Sequence, residues 1–206
     1  MDTEKLLKIL KKSYPQASCS LNYSNPFQLL AATILSAQCT DERVNKVTPA
    51  LFREFPTPQA MAKAPLEKIK KMIRSTGFYN NKAISLKESS RLIVEKFNGR
   101  VPDSMEGLLS LRGVARKTAN VVLSNAFEKN EGVVVDTHVK RLSFRLGLTE
   151  ETDPEKIEQD LMKIIPVKLW GWFSHALVYH GRAFCSARNP LCSECPVKSL
   201  CPRKGV

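Results

Sequence analysis

Four thiols crowd the last 22 residues of this 206-residue chain: Cys185, Cys192, Cys195 and Cys201, spaced C-x6-C-x2-C-x5-C. Tetrathiolate sets of this kind suit zinc or an iron–sulfur cluster. Zinc usually draws on two paired C-x2-C knuckles. Here only Cys192 and Cys195 form such a pair, and Cys185 and Cys201 arrive through unequal loops. That asymmetry favours a cubane cluster. A disulfide framework is not expected. The opening MDTEKLLKILKK is charged from its second residue and has neither an apolar h-region nor a small-residue cleavage site. Without a secretory signal the expected compartment is the reducing cytoplasm. Cys19 and Cys39 stand apart and read as small buried apolar residues.

A second group of residues could do covalent chemistry. The run Leu108-Leu109-Ser110-Leu111-Arg112-Gly113-Val114-Ala115-Arg116-Lys117-Thr118-Ala119 reads as helix, tight turn, helix, with Gly113 supplying the turn. Such a turn aims backbone N–H groups outward at a helix N-terminus, where an anion can bind. It could equally be a plain helical corner. Lys117 falls in the first turn of the second helix, beside Arg116. A helix N-terminus and a neighbouring cation both disfavour an ammonium, so this lysine could serve as a Schiff-base nucleophile, or it could simply contact phosphate. Nineteen residues on stands Asp136, after the apolar Val133–Val135 run. It reads as a helix N-cap or as a carboxylate able to move protons. His138 reads as a structural residue.

The elements that must position these residues are helices. Asn25-Pro26 is a cap-plus-first-residue start, and Phe27, Leu30, Ala31, Ile34 and Leu35 share one face. Asp41 is placed to cap a second helix, with Val44, Val47, Leu51, Phe52 and Phe55 inward. Pro65 opens another that stops at Gly77, and residues 82–97 form a further one. Later helices are expected over about 115–128, 137–147, 154–165 and 168–182. The run Val133–Val135 is too short for a strand, so the fold class is all-α. No apolar run reaches the twenty residues that a membrane span needs.

Charge is uneven along the chain. Lys and Arg number 32 against 20 Asp and Glu, a net +12. Residues 150–160 hold six acids and one base, which leaves 31 bases to 14 acids, or +17, elsewhere. A strongly positive remainder apart from one acidic helix face suits a polyanion partner.

These features fall in an order that matches a family. The segments Leu35-Ser36-Ala37-Gln38-Cys39-Thr40-Asp41 and Gly77-Phe78-Tyr79-Asn80, the hairpin with Lys117, Val135-Asp136-Thr137-His138 and the four-cysteine loop together closely resemble the endonuclease III family of helix-hairpin-helix DNA glycosylases. The resemblance covers essentially the whole chain. It implies a two-domain helical fold with the active cleft between the domains. One would be a six-helix barrel carrying the helix-hairpin-helix (22–132), the other a discontinuous iron–sulfur cluster domain (1–21 and 133–206). It further implies a structural [4Fe-4S] cluster on Cys185, Cys192, Cys195 and Cys201. The partner would be double-stranded DNA containing oxidised pyrimidines or abasic sites, met by a monomer associated with the nucleoid.

By position in that family, Lys117 would be the nucleophile and Asp136 the essential carboxylate. Gln38 would fill the gap that a flipped nucleotide leaves in the stack, and Phe78 would be the wedge. Without the resemblance, Gln38 could cap the preceding helix and Phe78 could belong to the core. The hairpin residues Arg112, Gly113, Val114, Ala115 and Arg116 would grip phosphate. Three departures stand out: Arg112 where Pro is usual, Ala115 where a second Gly is usual, and Phe78 in place of Leu. The loop between Cys185 and Cys192 holds a single base, Arg188. The nearest alternative is a monofunctional mismatch glycosylase, relatives of which generally lack the hairpin lysine, the adenine-specific ones also carrying an additional domain. A DNA-binding module without catalysis, stapled by its metal loop, is the alternative from another class.

Overall fold

A computed structural model describes residues 2–206, and among these the regular structure is eleven α-helices and two 3-10 turns. In chain order the helices are α1 (Thr3–Ser13), α2 (Pro26–Ser36), α3 (Asp41–Glu54), α4 (Pro58–Lys63), α5 (Leu66–Ile73) and α6 (Tyr79–Lys96). They continue with α7 (Met105–Leu109), α8 (Arg116–Ala126), α9 (Thr137–Arg145), α10 (Pro154–Ile164) and α11 (Trp170–Ala183). The chain divides into two compact units. One is Cys19–Lys129, and the other joins the segment up to Ser18 with Asn130–Val206.

In the unit Cys19–Lys129, α2 is the element the others surround. Its side chains from Leu29 through Leu35 are all buried, so it is apolar all round rather than striped, as a central helix must be. It packs against α3, α6 and α8, while α4 and α5 pack on α6. Asn25 accepts the N–H of Gln28 at 3.0 Å and Pro26 takes the first helical position, so this start is as expected.

Two boundaries differ from the expectation. Thr40, rather than Asp41, caps α3, its hydroxyl accepting the N–H of Arg43, and Asp41 becomes the first helical residue. An acid there complements the positive helix end without capping it. Helix α6 begins at Tyr79, three residues before 82, because Phe78 takes a left-handed conformation (φ 47°) that starts the helix abruptly.

The second unit is built around Leu6 and Leu10 of α1, Val139 and Leu142 of α9, Ile157 and Leu161 of α10, and Phe173 and Leu177 of α11, all fully buried. Val133–Val135 belongs to no helix or strand, and its buried Val134 N–H donates to Ser174 Oγ at 3.0 Å. That bond satisfies a buried donor that a sheet would otherwise have taken. Helix α11 approaches α9 closely at Gly181, where a Cβ would lie 2.7 Å from His138 Nδ1.

Candidate functional site

The predicted hairpin is present between α7 and α8. Gly113 has φ +78°, the left-handed region, and Val114 is buried beneath the turn. Helix α6 holds the turn from below. Ser89 Oγ donates to the Arg112 carbonyl at 2.7 Å, and a Cβ on Gly113 would sit 2.7 Å from Ser85 Oγ. Both the backbone angle and the space therefore require glycine. Ala115 occupies the N-cap of α8 and has no side-chain acceptor to offer the first N–H groups. A helix start without a side-chain cap is a place where an anion can bind. Arg112 and Lys117 are exposed at this end, Lys117 in the first turn of α8.

Gln38 and Phe78 come together. Both are exposed, both are left-handed without being glycine (φ 52° and 47°), and both line one open cavity of about 240 Å³. Ala37, not Gln38, ends α2, and Phe78 is 64% exposed, so neither the capping nor the core alternative holds. A bulky residue held at positive φ and in water costs roughly 1–2 kcal/mol, a kind of strain that clusters at functional sites. Lys82 anchors this turn. It is buried and donates from Nζ to the Thr76 carbonyl at 2.7 Å, and burial lowers its pKa from the ordinary lysine value.

Asp136 is the N-cap of α9, its carboxylate accepting the Val139 N–H at 2.8 Å while remaining half-buried. His138 Nδ1 lies 3.1 Å from Arg141 Nη2, in keeping with a structural residue. Arg141 is one of the cations in the strongly positive remainder of the chain, but its guanidinium is directed inward, donating twice to the Cys185 carbonyl at 3.2 and 2.9 Å.

Cys185, Cys192, Cys195 and Cys201 line a single cavity whose other walls include Leu142, Leu146 and Val197. Among the described residues no three His, Cys, Asp or Glu side chains converge closely enough to hold a single metal ion. Thiols standing around a volume rather than around a point are the donor arrangement of a polynuclear cluster, in which each sulfur binds a different iron. Burial pushes the Cys195 and Cys201 thiols up, and their neighbouring thiols push the same way, so four thiolates need a cationic centre between them. The residues present therefore fit a [4Fe-4S] cluster. Cys19 and Cys39 are half-buried rather than buried.

Two groups directed at these sulfurs are absent from the sequence reading. Arg145 Nη1 stands 3.4 Å from Cys185 Sγ and also donates to the Ser186 carbonyl at 2.7 Å, while Nη2 reaches the Ala187 carbonyl at 3.0 Å. His180 is 1% exposed, with Nε2 3.3 Å from Cys195 Sγ and Nδ1 3.1 Å from Tyr14 Oη. Burial drops the His180 pKa to about 4. The i, i+4 spacing of Arg141 and Arg145 was the available signal for the arginines.

Known proteins match this arrangement along its length. A profile of the HhH-GPD superfamily of base excision DNA repair proteins matches residues 31–167, and one of the iron–sulfur binding domain of endonuclease III matches residues 185–201. The chain is 61% identical over 197 residues to Endonuclease III of Synechocystis sp., covering 96% of this chain and 90% of that one. To Endonuclease III of Escherichia coli (strain K12) it is 40% identical over 199 residues, covering 97% and 94%. A solved structure of a trapped Endonuclease III–DNA covalent intermediate superposes with a TM-score of 0.91 at 42% identity, covering 98% of this chain and 97% of that one. With the hairpin, the cap of α9 and the thiol-lined cavity in place, the chain belongs to the endonuclease III family of base-excision-repair glycosylase/lyases, which carry a [4Fe-4S] cluster.

Proposed function

We propose that this protein excises oxidised pyrimidines from double-stranded DNA and then cuts the strand at the abasic site, with Lys117 as nucleophile and Asp136 as the essential carboxylate. The observation that carries the reading is the placement of Lys117. It is exposed in the first turn of a helix whose N-cap, Ala115, has no side-chain acceptor, next to a hairpin turn that only glycine can make. Phosphate at the N-terminal end of α8 and on Arg112 holds the backbone of the strand, while Lys117 reaches the sugar.

The chemistry follows from an amine at C1′ of a flipped nucleotide. The Lys117 nitrogen forms a bond to C1′ as the C1′–base bond breaks, and the base leaves with a proton. Asp136 stabilises the positive charge that develops on the sugar and moves the amine's proton. The ring opens to an iminium, a C2′ proton is removed, and the C3′–oxygen bond breaks, which cuts the strand 3′ to the lesion. Flipping leaves a hole in the stack. Gln38 fills it and Phe78 enters between the neighbouring bases, both presented ready-made by their left-handed backbones. Arg112, Gly113, Val114, Ala115 and Arg116 form the phosphate grip. The four cysteines hold the cluster as a staple of the discontinuous domain, and the protein acts as a monomer on cytoplasmic, nucleoid DNA.

Borohydride trapping on a duplex containing thymine glycol tests this reading. The protein should form a covalent adduct, and Lys117→Ala should form none. An adduct of undiminished yield in Lys117→Ala removes the nucleophile assignment. Abasic duplex in the same assay separates lyase competence from recognition of the base.

A further inference from the structure

Arg145 carries a permanent positive charge, yet it is only 7% exposed. A buried guanidinium is costly unless an anion offsets it. Its partners are two carbonyls and a sulfur, and among the described residues no carboxylate pairs with it. The anion it faces is on the thiol side, at Cys185 Sγ. Four thiolates around a cubane core carry net negative charge, and this reading of the thiols is the one on which the inference rests.

We propose that Arg145 is the counter-charge built into the protein for the cluster, setting how readily the cluster gives up an electron. A cation and hydrogen-bond donor at a cluster sulfur stabilises the more negative, reduced form and so raises the potential. Other cations line the same cavity, but Lys198 and Arg203 are exposed, and Lys198 donates to the Ser193 carbonyl. Water screens them, whereas the buried Arg145 acts through a low dielectric. With a cluster bound, this charge would favour its reduced form over its oxidised form.

The two guanidinium arms also reach past the sulfur. By binding the Ser186 and Ala187 carbonyls, Arg145 links the end of α9 to the first turn of the cysteine loop, and the Arg145 carbonyl accepts in turn from Cys201 Sγ. One residue thus touches both ends of the thiol set. A purely geometric staple would affect how much iron is held but not the potential of the clusters that remain.

Film voltammetry on the holoenzyme, with iron content measured on the same samples, separates the two. Arg145→Gln keeps a donor but removes the charge. Its midpoint should move to more negative values, with at least a tenfold rise in the oxidised-to-reduced ratio at fixed potential, which is about 59 mV for a one-electron couple. Arg145→Lys keeps the charge and should retain most of the unmodified protein's midpoint. An Arg145→Gln protein that is fully loaded with an unmoved midpoint overturns the proposal. If Arg145→Gln does not load, Arg145→Lys decides: loading with a near-normal midpoint supports the charge, and failure of both to load assigns Arg145 to geometry alone. A colourless, iron-free unmodified protein would instead overturn the cluster itself.

Discussion

The carboxylate of Asp136 accepts the backbone N–H of Val139 at 2.8 Å, so the residue assigned to catalysis is also the cap of α9. The two duties have different chemical requirements. Capping needs an acceptor oxygen, and Asn serves nearly as well as Asp, whereas proton movement and charge stabilisation need the anion. Asp136→Asn should therefore melt within a degree or two of the parent while losing excision by two orders of magnitude or more. Asp136→Ala should lose the same activity and also about 1 kcal/mol of stability. Thermal melts alongside single-turnover excision read both, and an active Asp136→Asn enzyme would remove Asp136 from the chemistry.

At the hairpin, Gly113→Ala meets two separate obstacles: a positive φ and a Cβ 2.7 Å from Ser85 Oγ. The backbone term alone costs roughly 1–2 kcal/mol. Adding Ser85→Gly removes the clash but not the backbone strain. The single variant should lose affinity for undamaged duplex and melt lower, and the double variant should recover part of the melting temperature. Full recovery would mean the left-handed turn imposes no cost.

Phe78 offers a case where stability and activity should part. Its left-handed backbone is strained and its ring is 64% exposed, so little packing is lost on truncation. Phe78→Gly relieves strain of roughly 1–2 kcal/mol and adds unfolded-state entropy of roughly 0.5–1 kcal/mol. Its melting temperature should be unchanged or slightly higher, while excision from duplex falls about tenfold or more for want of a wedge. Excision from a lesion opposite a gap, where no stacked base needs separating, should fall less. Equal losses on both substrates would argue against the wedge.

Binding to undamaged duplex should weaken steeply with salt, since phosphate contacts release counterions. Arg112, exposed at the hairpin, should contribute one such contact. Arg112→Gln should lower the slope of log affinity against log salt by about 1 and weaken all sequences alike. Fluorescence anisotropy across a salt series reads the slope, and an unchanged slope places Arg112 off the DNA.

What could be read from the chain alone was whatever is local along it. The thiol spacing, the glycine of the hairpin, the cap at Asp136 and the apolar stripes all express relations among residues a few positions apart. Boundaries were legible only to the extent that one residue could make them. Thr40 and Asp41 are both good caps, and the folded chain gives the role to Thr40, whose hydroxyl accepts the Arg43 N–H. Likewise Gln38 and Phe78 were named by position, but nothing in their side chains announces a left-handed backbone. At Phe78 the adjoining turn is tied to α6 by Lys82, which donates to the Thr76 carbonyl.

Arg141 and Arg145 mark the boundary of sequence reading most clearly. On a linear chain, two arginines four apart look like a solvated helix face. Their acceptors are carbonyls more than forty residues away, at Cys185, Ser186 and Ala187. Only when α9 and the cysteine loop pack together does a surface charge become a buried one facing a sulfur. The sequence determined which chemical groups this protein owns, because covalent order and short-range periodicity are written in it. The tertiary structure decided what each charge faces, because burial and electrostatic partnership arise only from contacts between segments distant in the chain.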